Sequence, residues 1–252
     1  MALRRVFVDS IDSGVSRVGG PRAHHLHRVV RLTVGEEIEI SDQKQVFAAT
    51  VTSSRPDLVE FDVRRELEIP GQGIAVVLLL AVIKFARFEW AIEKATELGV
   101  ETIVPIVAER SGQRLVAGAV KRRGRWRKIA SEAAQQSRRI SCPEIENPLE
   151  FSEALAVYQA PLRLFCDTDS PPLSQVLAER QFDGKAQPTA IVLVGPEGGW
   201  SGHEREAAAE AGLTAVSMGP LILRAETAAL AALACLRTAE AIQGPQRPEQ
   251  PI

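Results

Sequence analysis

The chain has 252 residues, of which 45% are hydrophobic and 25% charged, and a net charge of −2. This is enough for one large or two small domains with packed cores, and a charge so near zero says nothing by itself about partners. The three cysteines, Cys142, Cys166 and Cys235, are widely spaced with no C-x-x-C pair. That argues against a zinc ribbon or thioredoxin-like site and reads as buried structural thiols in a reducing compartment. The N-terminal Met-Ala-Leu-Arg-Arg-Val-Phe lacks an apolar signal core, and the longest apolar run, 74–83, is too short to span a bilayer. The expectation is a cytoplasmic protein with no membrane partner.

Taken in chain order, residues 1–68 read as β-rich. Alternating segments at 37–40, 46–51 and 58–63, with turns at Asp42-Gln-Lys and Arg55-Pro-Asp, predict a small barrel. One short helix over 23–32 interrupts it, and Ile69-Pro-Gly-Gln-Gly73 reads as a linker. The continuous apolar run 74–83 then predicts a strand covered on both faces. A helix over 87–98 ends at Gly99, a strand follows at 102–107, and a long helix covers 119–138. Strands at 162–166, 190–194 and 214–218 come next. Ser201-Gly-His-Glu204 is a capping box opening a helix that ends near Gly212. The Ala/Leu-rich stretch 225–242 is nearly free of polar side chains, which predicts a helix buried on several faces. Alternating strands and helices predict an α/β layer domain. The domain reading is therefore 1–70, 71–243 and a disordered tail 244–252.

Two features carry candidate chemistry. Strands 190–194 and 214–218 both run into Gly-Pro turns, Gly195-Pro-Glu-Gly-Gly199 and Gly219-Pro-Leu-Ile-Leu-Arg224. Neither matches G-x-G-x-x-G nor G-x-x-x-x-G-K, so a triphosphatase or ordinary dinucleotide enzyme is weakly supported. Three glycines and a proline in five residues exceed what a plain turn needs, and ligands of open α/β sheets bind beyond the carboxyl ends of the strands. Arg224, Glu226 and Thr227 gather at the positive N-terminal end of the last helix, where ordinary capping is the other reading.

The second feature is charge. Residues 110–139 hold ten cations, Arg110, Arg114, Lys121, Arg122, Arg123, Arg125, Arg127, Lys128, Arg138 and Arg139, against Glu132 alone. A solvated helix face is one reading; a polyanion-binding surface is the other, favoured because the chain as a whole is slightly acidic. Arg4, Arg5, Arg17, Arg22, Arg28 and Arg31 add a basic N-terminal region. His24, His25 and His27 lack further ligands at metal-binding spacing, so no metal is expected and an RNA-facing or surface role is.

Five blocks in order now carry a specific resemblance: His25-Leu-x-Arg-Val-Val-Arg; Lys84 with Glu93-Lys-Ala-Thr-Glu-Leu-Gly-Val-Glu-Thr-Ile-Val-Pro105; Glu109-Arg-Ser with Gln136-Ser-Arg-Arg139; Val194-Gly-Pro-Glu-Gly-Gly199; and Gly219-Pro-Leu-Ile-Leu-Arg-Ala-Glu-Thr-Ala228. Over nearly its whole length the chain resembles the bacterial enzymes that methylate N3 of a uridine in 16S rRNA, within the SPOUT superfamily. Gln135 departs from the family pattern, where Glu is frequent. The resemblance implies a C-terminal SPOUT α/β trefoil-knot methyltransferase domain behind a small PUA-like β-barrel domain that binds RNA. It also implies S-adenosylmethionine as methyl donor, a homodimer, and 16S rRNA in the decoding region of the small ribosomal subunit, as part of the assembled subunit, as substrate.

By position, the cofactor would lie among three loops: 166–169, 194–199 and 218–228. Val194, Gly195, Pro196, Glu197, Gly198, Gly199, Met218, Gly219, Leu221, Leu223, Thr227 and Ala228 are the binding candidates. Arg224 is the first choice for stabilising charge on the uracil carbonyls, with Arg138 or Arg139 second, and Glu226 is the candidate base. Arg4, Arg5, His25, Arg28, Arg31, Lys84, Arg110, Arg138 and Arg139 are the RNA-binding candidates. The nearest rival is another SPOUT RNA methyltransferase with a different rRNA or tRNA target. A non-catalytic RNA-binding factor would explain the basic regions but not the two Gly-Pro loops.

Overall fold

A computed structural model describes residues 4–68, 73–179 and 189–243. Most of the expected linker, 69–72, and the tail 244–252 lie outside the described residues. The chain forms two compact units. One contains the chain up to Pro70 together with Ala134–Cys142, and the other contains the rest.

The first unit is a five-stranded sheet of β1 (Arg5–Phe7), β2 (Val15–Gly19), β3 (Glu37–Ser41), β4 (Val46–Ser54) and β5 (Leu58–Leu67), in the order β1-β3-β4-β5-β2. β1 pairs parallel with β3, and the other pairs are antiparallel. Period-two alternation sends Ile38, Ile40, Ala49, Val51, Val59 and Phe61 into one core with Val6, Val18, Ala23 and Leu26. Register shifts at Ala48/Ala49 and Val51/Ser53 bend β4, and the expected barrel is present as a curled half-barrel of PUA type. The helix expected over 23–32 starts and ends earlier and is irregular: α1 (Gly20–His25), with Pro21 in its first turn, runs into a π-helical turn, Leu26–Val30. Arg31 at φ 59° takes the left-handed conformation that stops it.

The Ala134–Cys142 segment is held to this unit by a buried charge cluster. Glu39 Oε2 accepts from Arg5 Nε at 3.0 Å and Nη2 at 2.8 Å, and the same carboxylate meets the Arg138 guanidinium. Ser41 Oγ donates to Ile140 O at 2.6 Å.

The second unit is an all-parallel sheet in the order β12-β10-β11-β6-β7-β8, with β9 also on β7. Its strands are β6 (Ala75–Ala81), β7 (Thr102–Val107), β8 (Glu144–Ile145), β9 (Leu149–Glu150), β10 (Leu162–Cys166), β11 (Thr189–Val194) and β12 (Thr214–Val216). The helices are α2 (Phe85–Glu97), α3 (Gln113–Gln136), α4 (Phe151–Val157), α5 (Leu173–Ala178), α6 (Gly202–Glu210) and α7 (Ala225–Gln243). On one face Leu79, Ala81, Val104, Ile106, Ile191 and Leu193 pack with Phe151, Leu155, Trp200 and Ala208 from the α4 and α6 side. On the other, α7 packs against α2, α5, β6 and β11. Covering both faces is why the strands read as continuous apolar runs.

Three sequence expectations are corrected. The cations of α3 are less unbalanced in space than in sequence, since five of its seven meet acids, although an excess of positive charge remains. Arg122 and Arg125 meet Glu89, Arg123 and Arg127 meet Glu144, and Lys128 meets Glu132. Most of these acids come from other elements, which a count along the helix cannot see. The last helix is not buried all round: Ala229, Ala232, Leu233 and Leu236 are fully buried, while Thr227, Ala234, Cys235 and Thr238 are exposed. Alanine costs little in either environment, so an Ala-rich pattern overstates burial. Cys235, on the same helix, is exposed rather than a buried thiol, and Cys142 and Cys166 are half-buried.

Candidate active site

Because the sheet is parallel, its strands all end on one edge. Cys166 pairs in register with both Val194 and Val216, so the loops after β10, β11 and β12 leave that edge side by side. This is where a ligand of such a sheet binds. The three loops are tied to one another. Trp200 Nε1 donates to Cys166 O at 3.0 Å, and its ring stacks on Phe165 at 4.9 Å. Arg205 of α6 donates to Asp167 Oδ2 at 2.7 Å and to Trp200 O at 2.8 Å. Asp167 N donates to Val216 O at 2.9 Å, and Ser217 N to Pro171 O at 2.8 Å. Cys166 carries no thiolate at neutral pH: burial, with help from the Asp167 carboxylate, pushes its thiol up to about 12.

The expected capping box is formed. Glu204 N donates to Ser201 Oγ at 3.2 Å, and Ser201 N to Glu204 Oε2 at 2.8 Å. The second Glu204 oxygen accepts from Glu109 N at 2.9 Å, fixing the loop after β7. Within the 194–199 turn, Gly199 at φ 70° donates its N–H to Pro196 O. Gly195 lies against the Trp200 indole so closely that a Cβ there would sit 2.8 Å from Cε2. These two glycines serve different needs, one a left-handed backbone and the other a close approach.

At the N-terminal end of α7 sits a charge cluster built from three elements. The Arg87 guanidinium, on the first turn of α2, bonds Glu197 of the first Gly-Pro turn, and its Nε lies 3.6 Å from Glu226 Oε1. Glu226 is 6% exposed, and its Oε2 is buried without a hydrogen-bond partner. Beside it opens a cavity of about 430 Å³ lined by Ala86, Arg87, Trp90, Arg224, Glu226 and Thr227. Arg224 is exposed at its edge. A buried carboxylate oxygen left unsatisfied costs free energy until a donor arrives. The arrangement therefore suits a ligand that brings an N–H to Glu226 and an electron-rich oxygen to Arg224.

The twelve cofactor candidates occupy two adjoining loops and the first turn of α7. Val194 and Pro196 are buried, Gly195, Gly199, Met218, Gly219, Leu223 and Ala228 half-buried, and Glu197, Gly198, Leu221 and Thr227 exposed. The RNA candidates separate. His25, Arg28, Arg31 and Lys84 are exposed, and so is Arg4, whose Nη1 donates to Val30 O at 2.8 Å. Arg110 is exposed but donates from Nη1 to Gly198 O at 2.9 Å, bracing the first turn. Arg5, with its side chain 8% exposed, and Arg138 are engaged by Glu39. Arg5 would have to give up that carboxylate to meet a phosphate, whereas Arg138 keeps 42% of its side chain exposed while engaging it. Arg139 is half-buried. Among the described residues no cluster of three His, Cys, Asp or Glu side chains is arranged to hold a metal.

An RNA methyltransferase domain model matches residues 71–237, and an RNA methyltransferase PUA domain model matches 18–63. The chain is 35% identical over 220 residues to the ribosomal RNA small subunit methyltransferase E of Synechocystis, covering 84% of this chain and 69% of that one. The chain belongs to this family of RNA methyltransferases. The Bacillus subtilis member is 30% identical over 235 residues, covering 87% and 88% of the two chains. The Neisseria gonorrhoeae member, solved bound to S-adenosyl methionine, superposes with a TM-score of 0.81 at 28% identity over 94% of this chain and 97% of that one. The expected fold, a SPOUT-type α/β domain with a PUA-like domain, is borne out.

Sequence reasoning missed Arg87, Trp90, Asp167 and Arg205. Arg87 stands between Lys84 and the 93–105 block, outside both, and Asp167 lay inside an expected loop. What they touch, Glu197, Glu226 and each other, lies far along the chain, and no local pattern announces such a pair.

Proposed function

We propose that this chain transfers the methyl group of S-adenosylmethionine to N3 of a specific uridine in 16S rRNA. The family supports the donor and the small-subunit rRNA. The observation that carries the choice of atom is Glu226 Oε2, buried and unpartnered beside the exposed cation Arg224. N3 of uracil carries a proton between two carbonyl groups, so methylating it calls for an acceptor for that proton and a positive group for the charge left behind.

The residues fit the cofactor. Two glycine turns leave the same sheet edge, and exposed or half-exposed backbone at Gly198, Gly199 and Gly219 lets a ligand approach the chain. Val194, Gly195, Pro196, Glu197, Gly198 and Gly199 would hold it from one side. Met218, Gly219, Leu221, Leu223, Thr227 and Ala228 would hold it from the other. When bound, S-adenosylmethionine supplies a methyl group already activated on a sulfonium. What remains for the protein is alignment and the proton. Glu226, which lines the cavity, takes the proton from N3, and the electron pair stays on the ring nitrogen. The resulting negative charge spreads to the flanking carbonyl oxygens, where the Arg224 guanidinium stabilises it. Arg87 holds Glu226 Oε1 and keeps the carboxylate in place.

The uracil must present its Watson–Crick edge, so it is read unpaired or flipped out. The exposed residues Arg4, His25, Arg28, Arg31 and Lys84 hold the surrounding RNA through phosphates. In the same proposal the enzyme is a cytoplasmic homodimer acting on the assembled small subunit. Nucleoside mass spectrometry of 16S rRNA from cells with and without the gene tests the reading. Loss of 3-methyluridine on deletion is expected, and its persistence would overturn the assignment.

A further inference from the structure

The cavity beside Glu226 contains a residue that the proton chemistry does not use. Trp90 is 45% exposed, the only aromatic among the large apolar side chains that the described residues leave exposed. The other two tryptophans, Trp126 and Trp200, are buried to 0% and 2%, each packed against phenylalanines. Trp90 lies on the outward side of α2, whose Phe88, Ala91, Ile92 and Ala95 are buried. Ala86 and Trp90 are four residues apart and share a helix face, with Arg87 beside them. That face is one wall of the cavity; Arg224, Glu226 and Thr227 form the other.

An indole opposite a carboxylate and a guanidinium is a poor surface for an apolar protein partner, because docking one would strand two charged groups away from water. It suits a planar heterocycle with polar edges. The ring stacks on the indole, its N–H meets Glu226, and its carbonyl oxygen meets Arg224. At about 430 Å³ the cavity is of the size that small ligands fill. The small side chain of Ala86 leaves the indole face uncovered on its helix neighbour's side.

We propose that Trp90 is the stacking platform for the target uracil, and that Ala86, Arg87 and Trp90 of α2 form the base-reading wall of the acceptor site. The inference rests on the uridine reading above and deepens it. Arg87 acts as a positioning residue through Glu226, and Trp90 makes the contact with the base.

The test uses small ribosomal subunits purified from cells lacking the gene. Trp90→Ala lowers kcat/KM on these subunits by about tenfold to a hundredfold, the range expected for one base–aromatic stack. Trp90→Phe keeps most of the wild-type value, and calorimetric S-adenosylmethionine affinity is the same in all three proteins. On the wild-type protein, oligouridylate quenches the exposed tryptophan's fluorescence more than an abasic ribose-phosphate oligomer of equal length does, and Trp90→Phe abolishes that difference. Trp90→Ala within twofold of wild type, or equal quenching by the two oligomers, would overturn the proposal; the second outcome points to Trp90 being covered by another copy of the chain. If the wild-type enzyme forms no 3-methyluridine on these subunits, it is the functional reading that fails.

Discussion

The two Gly-Pro segments look alike in sequence and are built differently. The first, 194–199, is braced from four sides: Trp200 beneath Gly195, Arg110 on Gly198 O, Arg87 on Glu197, and the capping box of α6 immediately after it. The second, 218–224, puts Leu221 at 75% and Ile222 at 88% exposure and presents Arg224 to solvent. A braced turn is preorganised and costs little to order when a ligand binds. An exposed one gains its order from whatever it meets. In the proposed site the first turn is therefore the fixed half of the cofactor pocket, and the second the half that substrate and a second copy would complete.

The largest effect expected is on chemistry carried by the open segment. Arg224→Ala lowers methyl transfer by about a hundredfold to a thousandfold, as removing one charge-stabilising donor does, while calorimetry finds cofactor affinity unchanged. Wild-type turnover in that variant would remove Arg224 from the mechanism. Gly195→Ala attacks the braced turn instead. Its Cβ would lie 2.8 Å from a ring that is 2% exposed and stacked on Phe165, so there is nowhere for Trp200 to go. A loss of about 1–3 kcal/mol in urea unfolding is expected, together with weakened cofactor binding. If binding and stability both hold, the turn is not as rigid as its contacts imply.

A smaller effect tests the brace behind the cavity. The Arg125 guanidinium, and after it Arg122, hold the Glu89 carboxyl below its ordinary value of 4.5 against the opposing pull of burial. A carboxyl lowered in the folded state stabilises fully above its ordinary value and loses that contribution as pH falls through the lowered one. Glu89→Gln should therefore cost about 1 kcal/mol at neutral pH, and the gap from wild type should close as unfolding is followed below about pH 4. A gap independent of pH would mean that packing, not charge, is what Glu89 provides. The smallest change in stability is expected from Leu221→Ser with Ile222→Ser, within about 0.5 kcal/mol because both side chains are already in water. If the open segment contributes to the proposed homodimer, light scattering will find that pair shifted toward monomer; an unchanged mass would separate this loop from any interface.

Much of this molecule was legible in the chain itself. The strands at 102–107 and 162–166, the capping box at Ser201–Glu204 and the two glycine turns rest on periodicity and short-range bonding, which neighbouring residues specify by themselves. Position after a strand sufficed to mark Glu226 and Arg224, because parallel strands bring their ends to one edge. Tertiary structure decided what depends on residues distant in sequence. It brought Glu89 and Glu144 to four of the α3 cations, and joined the buried Arg5 side chain and the exposed Arg138 on Glu39. It also left one face of the Ala-rich α7 open, and set Arg87 between Glu197 and Glu226 with Trp90 alongside. Charge acts through space rather than along the chain, so a helix that reads as strongly basic in sequence can be partly neutralised where it sits in the fold.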